Sequence, residues 1–141
     1  MKQQILVIGA GFGGVWSALS AARLLDMHDR NDVDITLLAP QAELRIRPRF
    51  YETDVHKMFA PLDALFDSVG VRFVKGMAER IDEQTKTVGY RDEAGHEGTL
   101  SYDRLILAAG SQLVRPKVPG LAEHAFDVDQ IKAAGRLEDH L

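Results

Sequence analysis

A chain of 141 residues, 45% hydrophobic and 27% charged, has the size of one globular domain with a modest core. Its formal net charge of -4 argues against a surface built to neutralise nucleic-acid phosphates. The absence of cysteine excludes disulfides, thiolate metal sites and a redox-active cysteine pair within the chain. No apolar run reaches membrane-spanning length and no signal-peptide pattern opens the sequence, so a cytoplasmic protein is expected.

In chain order, Ile5 to Ile8 is a continuous apolar run ending at a glycine, the pattern of a parallel strand covered on both faces. From Gly14, Val15, Ala18, Leu19, Ala22 and Leu25 recur at helical spacing without a proline. A polar connection, MHDRND, leads to a second strand, Val33 to Ala39, which completes a βαβ unit. The stretch PQAELRIRPRFYETD has no period and reads as a long connection. Within it Arg45, Arg47 and Arg49 alternate, which puts them on one side if the segment is extended. Pro61 suits the first turn of a short helix with Leu62, Leu65, Phe66 and Val69 on one side. A third strand, VRFVKG from Val71, precedes three short segments near Met77–Ile81, Lys86–Arg91 and His96–Ser101. The turn-rich DEQT and DEAG separate these, so an antiparallel meander is expected. YDRLILAAGS restores the buried-strand pattern, QLVRPKVPG reads as a stiff linker, and DVDQIKAAGRLEDHL as a final helix. The resulting expectation is an α/β, Rossmann-like doubly wound sheet in the order Val71–Lys75, Val33–Ala39, Ile5–Ile8, Leu105–Ala108, accompanied by the meander.

Gly9, Gly11 and Gly14 stand at the spacing GxGxxG between a strand and a helix, which is the context of a dinucleotide-binding turn. Gly9 allows the tight turn, Gly11 lets backbone approach a pyrophosphate, and Gly14 permits close packing of the helix. Phe12 and Gly13 complete the turn, and the amides of the first helical turn point at the phosphates. The carboxylate that normally holds the adenosine ribose at the end of the second strand is replaced by Ala39. A charge-assisted hydrogen bond contributes about 1.5–3 kcal/mol, so its loss weakens binding by roughly one to two powers of ten without abolishing it. Three explanations stay open: weaker ribose recognition, tolerance of a 2′-phosphate paired by Arg45 or Arg47, or a fold that has lost its ligand.

The remaining polar residues carry less. The five histidines, His28, His56, His96, His124 and His140, show no metal-ligand spacing, so no metal site is assigned. Trp16 reads as packing or as a neighbour of a ring system. No catalytic residue is identified, and no Ser/His/Asp arrangement follows from the spacing.

The segments VIGAGFGG, RPRFYE, VKGMAERID and YDRLILAAGS followed by VPG, in this order, resemble the FAD-binding half of the two-dinucleotide flavoproteins, the pyridine nucleotide-disulfide oxidoreductase family, and most of all type II NADH dehydrogenases. The resemblance implies an FAD-dependent oxidoreductase that uses NAD(P)H as co-substrate and passes electrons to a quinone or another acceptor. It implies that Gly9, Gly11, Gly13 and Gly14 are the pyrophosphate loop and that Ala39 is the departed ribose position. Ala78 matches the position whose backbone meets the adenine, Ala109 and Gly110 match a second flavin-proximal motif that has lost its threonine, and Arg47 and Pro48 match the loop beside the flavin. It further implies an incomplete FAD-binding domain: residues 1–120 as its N-terminal part, and residues 121–141 as a linker and helix leading to an absent NAD(P)-binding domain. Without a second glycine motif, hydride transfer by this segment alone is not expected. Alternative readings are an NAD(P)-binding Rossmann module without flavin and a ligand-free scaffold. Expected partners are a dinucleotide but no nucleic acid, with membrane contact not encoded here, and a homo-oligomer is conceivable through the apolar Leu105–Ala108 edge.

Overall fold

A computed structural model describes residues 2–141. In chain order the elements are β1 (Gln3–Ile8), α1 (Phe12–Met27), β2 (Val33–Ala39), β3 (Glu43–Arg45), β4 (Phe59–Pro61), α2 (Asp63–Val69), β5 (Val71–Lys75), β6 (Met77–Asp82), β7 (Thr87–Arg91), β8 (Glu97–Ser101), β9 (Arg104–Leu107), α3 (Leu121–His124) and α4 (Ile131–His140). They form two compact units. One runs to Leu44 and resumes over Pro61–Gly110, and the other joins Arg45–Ala60 to Ser111–Leu141.

The first unit is built on a four-stranded sheet in the order β5-β2-β1-β9, all neighbours parallel. This is the expected order, and the apolar runs explain it because both faces of the sheet are covered. Val7, Ile35, Leu37, Ala39 and Val71 face one way and pack with Val15 and Ala18 of α1 and Phe66 of α2. Leu6, Ile8 and Leu38 face the other way and meet Val88, with Tyr90 and Leu100 beside it. That second face is therefore covered by the antiparallel meander β6-β7-β8 instead of by helices. A reciprocal pair of bonds fixes where β9 begins: Gln4 N donates to Asp103 Oδ2 (2.7 Å) and Asp103 N donates to the Gln4 carbonyl (2.8 Å).

Helix α2 differs from the sequence expectation. Pro61 closes β4 and Leu62 is the N-cap, so the helix starts at Asp63. Leu62 and Phe66 are buried while Leu65 and Val69 are exposed, because a helix of two turns offers the sheet only a narrow stripe. Gly70 ends the helix in the left-handed region (φ +70°), a usual glycine terminator.

In the second unit, the stretch expected as plain connection holds 3-10 turns at Arg47–Arg49 and Val55–Lys57. Pro48 lies inside the first turn, so the extended strand face that would have aligned Arg45, Arg47 and Arg49 does not form. Phe50 and Val55 are buried against Ala134 of α4, with Met58 and Ile131 at the margin. The tail is irregular from Ala108 to Val118 and then forms the short α3, which the sequence pattern did not suggest.

Candidate functional site: the glycine turn

The strands β1, β2, β5 and β9 are parallel, so their carboxyl ends share one edge of the sheet, and the glycine turn lies there. The chain leaves β1 for β2 on one side while β9 lies on the other, which makes the end of β1 the point where strand order reverses. Gly9 N donates to the Leu38 carbonyl (2.9 Å) and Ala108 N to the Ile8 carbonyl (2.8 Å), so both flanking strands pin the turn.

Each glycine meets different surroundings. Gly9 has φ +106°, and an ideal Cβ there would lie 2.1 Å from the Ala108 carbonyl oxygen. A Cβ on Gly14 would lie 1.8 Å from the Gly9 carbonyl oxygen. These two positions are closed by the protein's own backbone. At Gly11 nothing lies within 4 Å of the corresponding point, and at Gly13 the nearest atom is the Ala108 Cβ at 3.9 Å. Gly11, Phe12 and Gly13 are all exposed. The open side of the turn faces outward.

Helix α1 begins with Gly11 as N-cap, in extended backbone, with no capping side chain and no acid in the first turn. Its first α-helical bond joins Val15 N to the Gly11 carbonyl (2.9 Å), so the amides of Phe12, Gly13 and Gly14 precede the hydrogen-bonded ladder. The helix dipole adds about 0.3–1 kcal/mol of attraction for an anion at this end. An exposed, Cβ-free mouth with uncapped amides fits a diphosphate bridge.

The other sequence-derived positions in this unit fall as follows. Ala39 ends β2, is 3% exposed, belongs to the helix-side core, and its carbonyl accepts from Gly76 N (2.9 Å). Lys75, its register partner on β5, pairs with Glu93 (2.7 Å). Ala78 pairs with Tyr90 at a register irregularity in β6 and packs on the meander side of the sheet. Ala109 and Gly110 follow β9 and are exposed; Gly110 has φ +79° and open space at its Cβ position. Sequence reading took Ala108 as the end of a strand, with it or Ala109 replacing the motif's threonine, and left it out of the site, yet its carbonyl and methyl lie against three of the four glycines. Its smallness was the available signal.

Arg47 and Pro48 belong to the second unit. There they line a hollow of about 550 Å³ with Leu113, Asp127, Val128 and Asp129. The Arg47 guanidinium donates to Asp129, which also receives Leu113 N (3.2 Å) and Gln130 Nε2 (3.0 Å). The Gln130 hydrogen bond first, and then that from Arg47, hold the Asp129 carboxyl below the usual carboxylate range. An anion arriving at Arg47 would have to compete with this carboxylate. Among the described residues, no group of three or more His, Asp or Glu is arranged to hold a metal, and no helix is long and apolar enough to cross a membrane.

Residues 3–141 match the pyridine nucleotide-disulphide oxidoreductase family. The chain belongs to this family. A NADH dehydrogenase-like protein of Mycobacterium tuberculosis is 40% identical over 140 residues, an alignment that takes in 98% of this chain and 34% of the relative. A type II NADH:quinone oxidoreductase of Staphylococcus haemolyticus is 24% identical over 150 residues, covering 99% of this chain and 34% of its own length. The chain thus spans about a third of the length of these curated relatives. Two solved structures share the fold. The sulfide:quinone oxidoreductase of Aquifex aeolicus has a TM-score of 0.78 at 24% identity, over 98% of this chain and 31% of that one. NDH2 of Plasmodium falciparum, in complex with NADH, has a TM-score of 0.76 at 20% identity, over 98% and 28% respectively. The family's name includes disulfide chemistry, for which this cysteine-free chain supplies no thiol.

Proposed function

We propose that this chain is the FAD-binding portion of an NAD(P)H-dependent flavin oxidoreductase of the type II NADH dehydrogenase kind, which delivers electrons to a quinone or another acceptor. The observation that carries the reading is the glycine turn: Gly9 and Gly14 are closed by backbone, while Gly11 stands open beside uncapped amides at the point of strand reversal. Similarity to the NADH dehydrogenase-like relative over nearly the whole chain supports the same reading.

Bound FAD supplies the ring chemistry that takes up hydride and passes on electrons. The protein's part is placement. The amides of Phe12, Gly13 and Gly14 receive the diphosphate, and Gly11 lets backbone and ligand approach without a Cβ between them. Ala39 offers the ribose no carboxylate, so adenosine is held by backbone and shape, with Ala78 beside the adenine. By resemblance, Ala109 and Gly110 are the flavin-side positions of the first unit, and Arg47 and Pro48, in the second, match the family's flavin loop by sequence. We also propose that the edge strand β9, whose Leu107 is exposed, is covered in the longer protein or by a second copy. Sedimentation that stays monomeric at high concentration would refute the second copy.

Visible absorption of the purified full-length protein, before and after FAD addition, tests the main reading. Yellow protein with one flavin per chain is expected. Nicotinamide binding without flavin would favour the plain Rossmann alternative, and binding of neither would favour a scaffold.

A further inference from the structure

Ala39 and Lys75 are register partners at the ends of β2 and β5. Neighbouring strands lie about 4.8 Å apart, so Lys75 stands beside the position from which the ribose carboxylate is missing. The chain beyond Lys75 is held down twice: Gly76 N donates to the Ala39 carbonyl (2.9 Å), and the Tyr90 ring lies against Gly76, its Cδ2 2.5 Å from where a Cβ would fall. Met77 then pairs with Arg91, which brings the turn between β7 and β8 to this same carboxyl edge of the sheet. That turn is firmly closed. Asp92 N donates to the His96 carbonyl (3.0 Å), Gly95 N to the Asp92 carbonyl (3.1 Å), His96 N to Asp92 Oδ1 (2.8 Å) and Arg91 Nη1 to the Gly95 carbonyl (3.2 Å). Glu93 belongs to the turn, and its Oε2 meets the Lys75 ammonium at 2.7 Å. All of these residues lie in the first unit, which also holds the glycine turn.

An exposed ion pair contributes little to folding, and about half or more of each of these two side chains faces solvent. Its chemistry suits a ribose: each hydroxyl of the diol can donate to a carboxylate and accept from an ammonium. We propose that Glu93, steadied by Lys75, replaces the missing β2 carboxylate as the acceptor for the adenosine ribose hydroxyls. A 2′-phosphate would meet the Glu93 charge, so this edge selects an unphosphorylated ribose. The proposal rests on the reading of the glycine turn as an FAD site.

The test uses the full-length protein with its flavin removed, titrated with FAD and with the FAD analogue whose adenosine carries 2′-deoxyribose, binding being followed by flavin fluorescence. Wild type is expected to bind FAD about tenfold more tightly than the analogue. Glu93→Ala should weaken FAD binding about tenfold and bring the two ligands to near-equal affinity. Glu93→Gln, whose amide oxygen still accepts, should keep part of the preference, and Lys75→Met, which releases Glu93, should lose most of it. Thermal melts of the unliganded variants should match the wild type, because the pair is exposed. Should Glu93→Ala fail to fold, Lys75→Met supplies the same comparison. Wild type that binds both ligands equally overturns the proposal, and so does a preference that survives Glu93→Ala. Wild type that binds neither ligand overturns the FAD reading and the ribose assignment with it, a result distinct from binding without preference.

Discussion

The carbonyl oxygen of Ala108 occupies the space that a side chain on Gly9 would need, with an ideal Cβ falling only 2.1 Å from it. The obstacle is backbone, which cannot swing aside as a flexible side chain would, and the φ of +106° adds strain for any L residue with a Cβ. Gly9→Ala is therefore expected to cost about 2–4 kcal/mol of folding stability. Gly14→Ala, 1.8 Å from the Gly9 carbonyl oxygen, should cost a similar amount. Urea unfolding of the chain measures both, and a midpoint matching the wild type would contradict the geometry.

Gly11 separates ligand from fold. Its φ of -76° suits any residue, and its Cβ position is open. Gly11→Ala should therefore cost no more than about 1 kcal/mol, the preference of an N-cap for glycine over alanine. FAD affinity should fall at least about tenfold, or roughly 1.4 kcal/mol, if a diphosphate takes that space. Equilibrium titration with FAD, alongside urea unfolding of the same variant, checks both halves.

Ala39 is buried at the end of β2 among the helix-side core residues. Ala39→Asp restores the ribose carboxylate, but in the free protein it forces a charge toward an apolar layer. A stability loss of about 1–3 kcal/mol without ligand is expected. With FAD bound, the added hydrogen bond should tighten affinity by about tenfold. Thermal unfolding with and without FAD should show a wider gap in the variant than in the wild type.

The sheet order was legible because the cores of β1, β2 and β9 are short apolar runs without alternation, as strands covered on both faces are, while β5, which carries Arg72 and Lys75, was placed by its position after the βαβ unit. The meander was legible from its turns. The 41–61 stretch was not, because the bonds that shape it are supplied by Asp129 and Glu138, far along the chain, and no local pattern announces them. The start of α2 was misplaced for a related reason. Proline suits a first helical turn and the end of a strand equally well, and tertiary context put Pro61 in β4. At the site, the glycine spacing located the turn. The Ala108 carbonyl that closes Gly9, and so sets it apart from Gly11, needed the position of β9, which spacing cannot give.

The turn between β6 and β7 should make stability depend on pH. Asp82 Oδ1 accepts from Thr85 N (2.9 Å) and Gln84 N (3.0 Å), in a turn that continues to Lys86 at φ +51°. Hydrogen bonds from Thr85, backbone first and then side chain, lower the carboxyl's pKa in the folded protein. A depressed folded pKa means that the unfolded chain takes up a proton first as pH falls. The stabilisation is therefore fully present above the unfolded carboxyl's pKa, near 3.9, and fades as pH drops through the lower folded value. Asp82→Ala should thus melt below the wild type at pH 7, and the gap should narrow below about pH 4 as the wild-type carboxyl is protonated. Melting curves of both proteins between about pH 2 and 7 measure this, and a gap that stays constant across the range would show that the Asp82 charge contributes nothing to the turn.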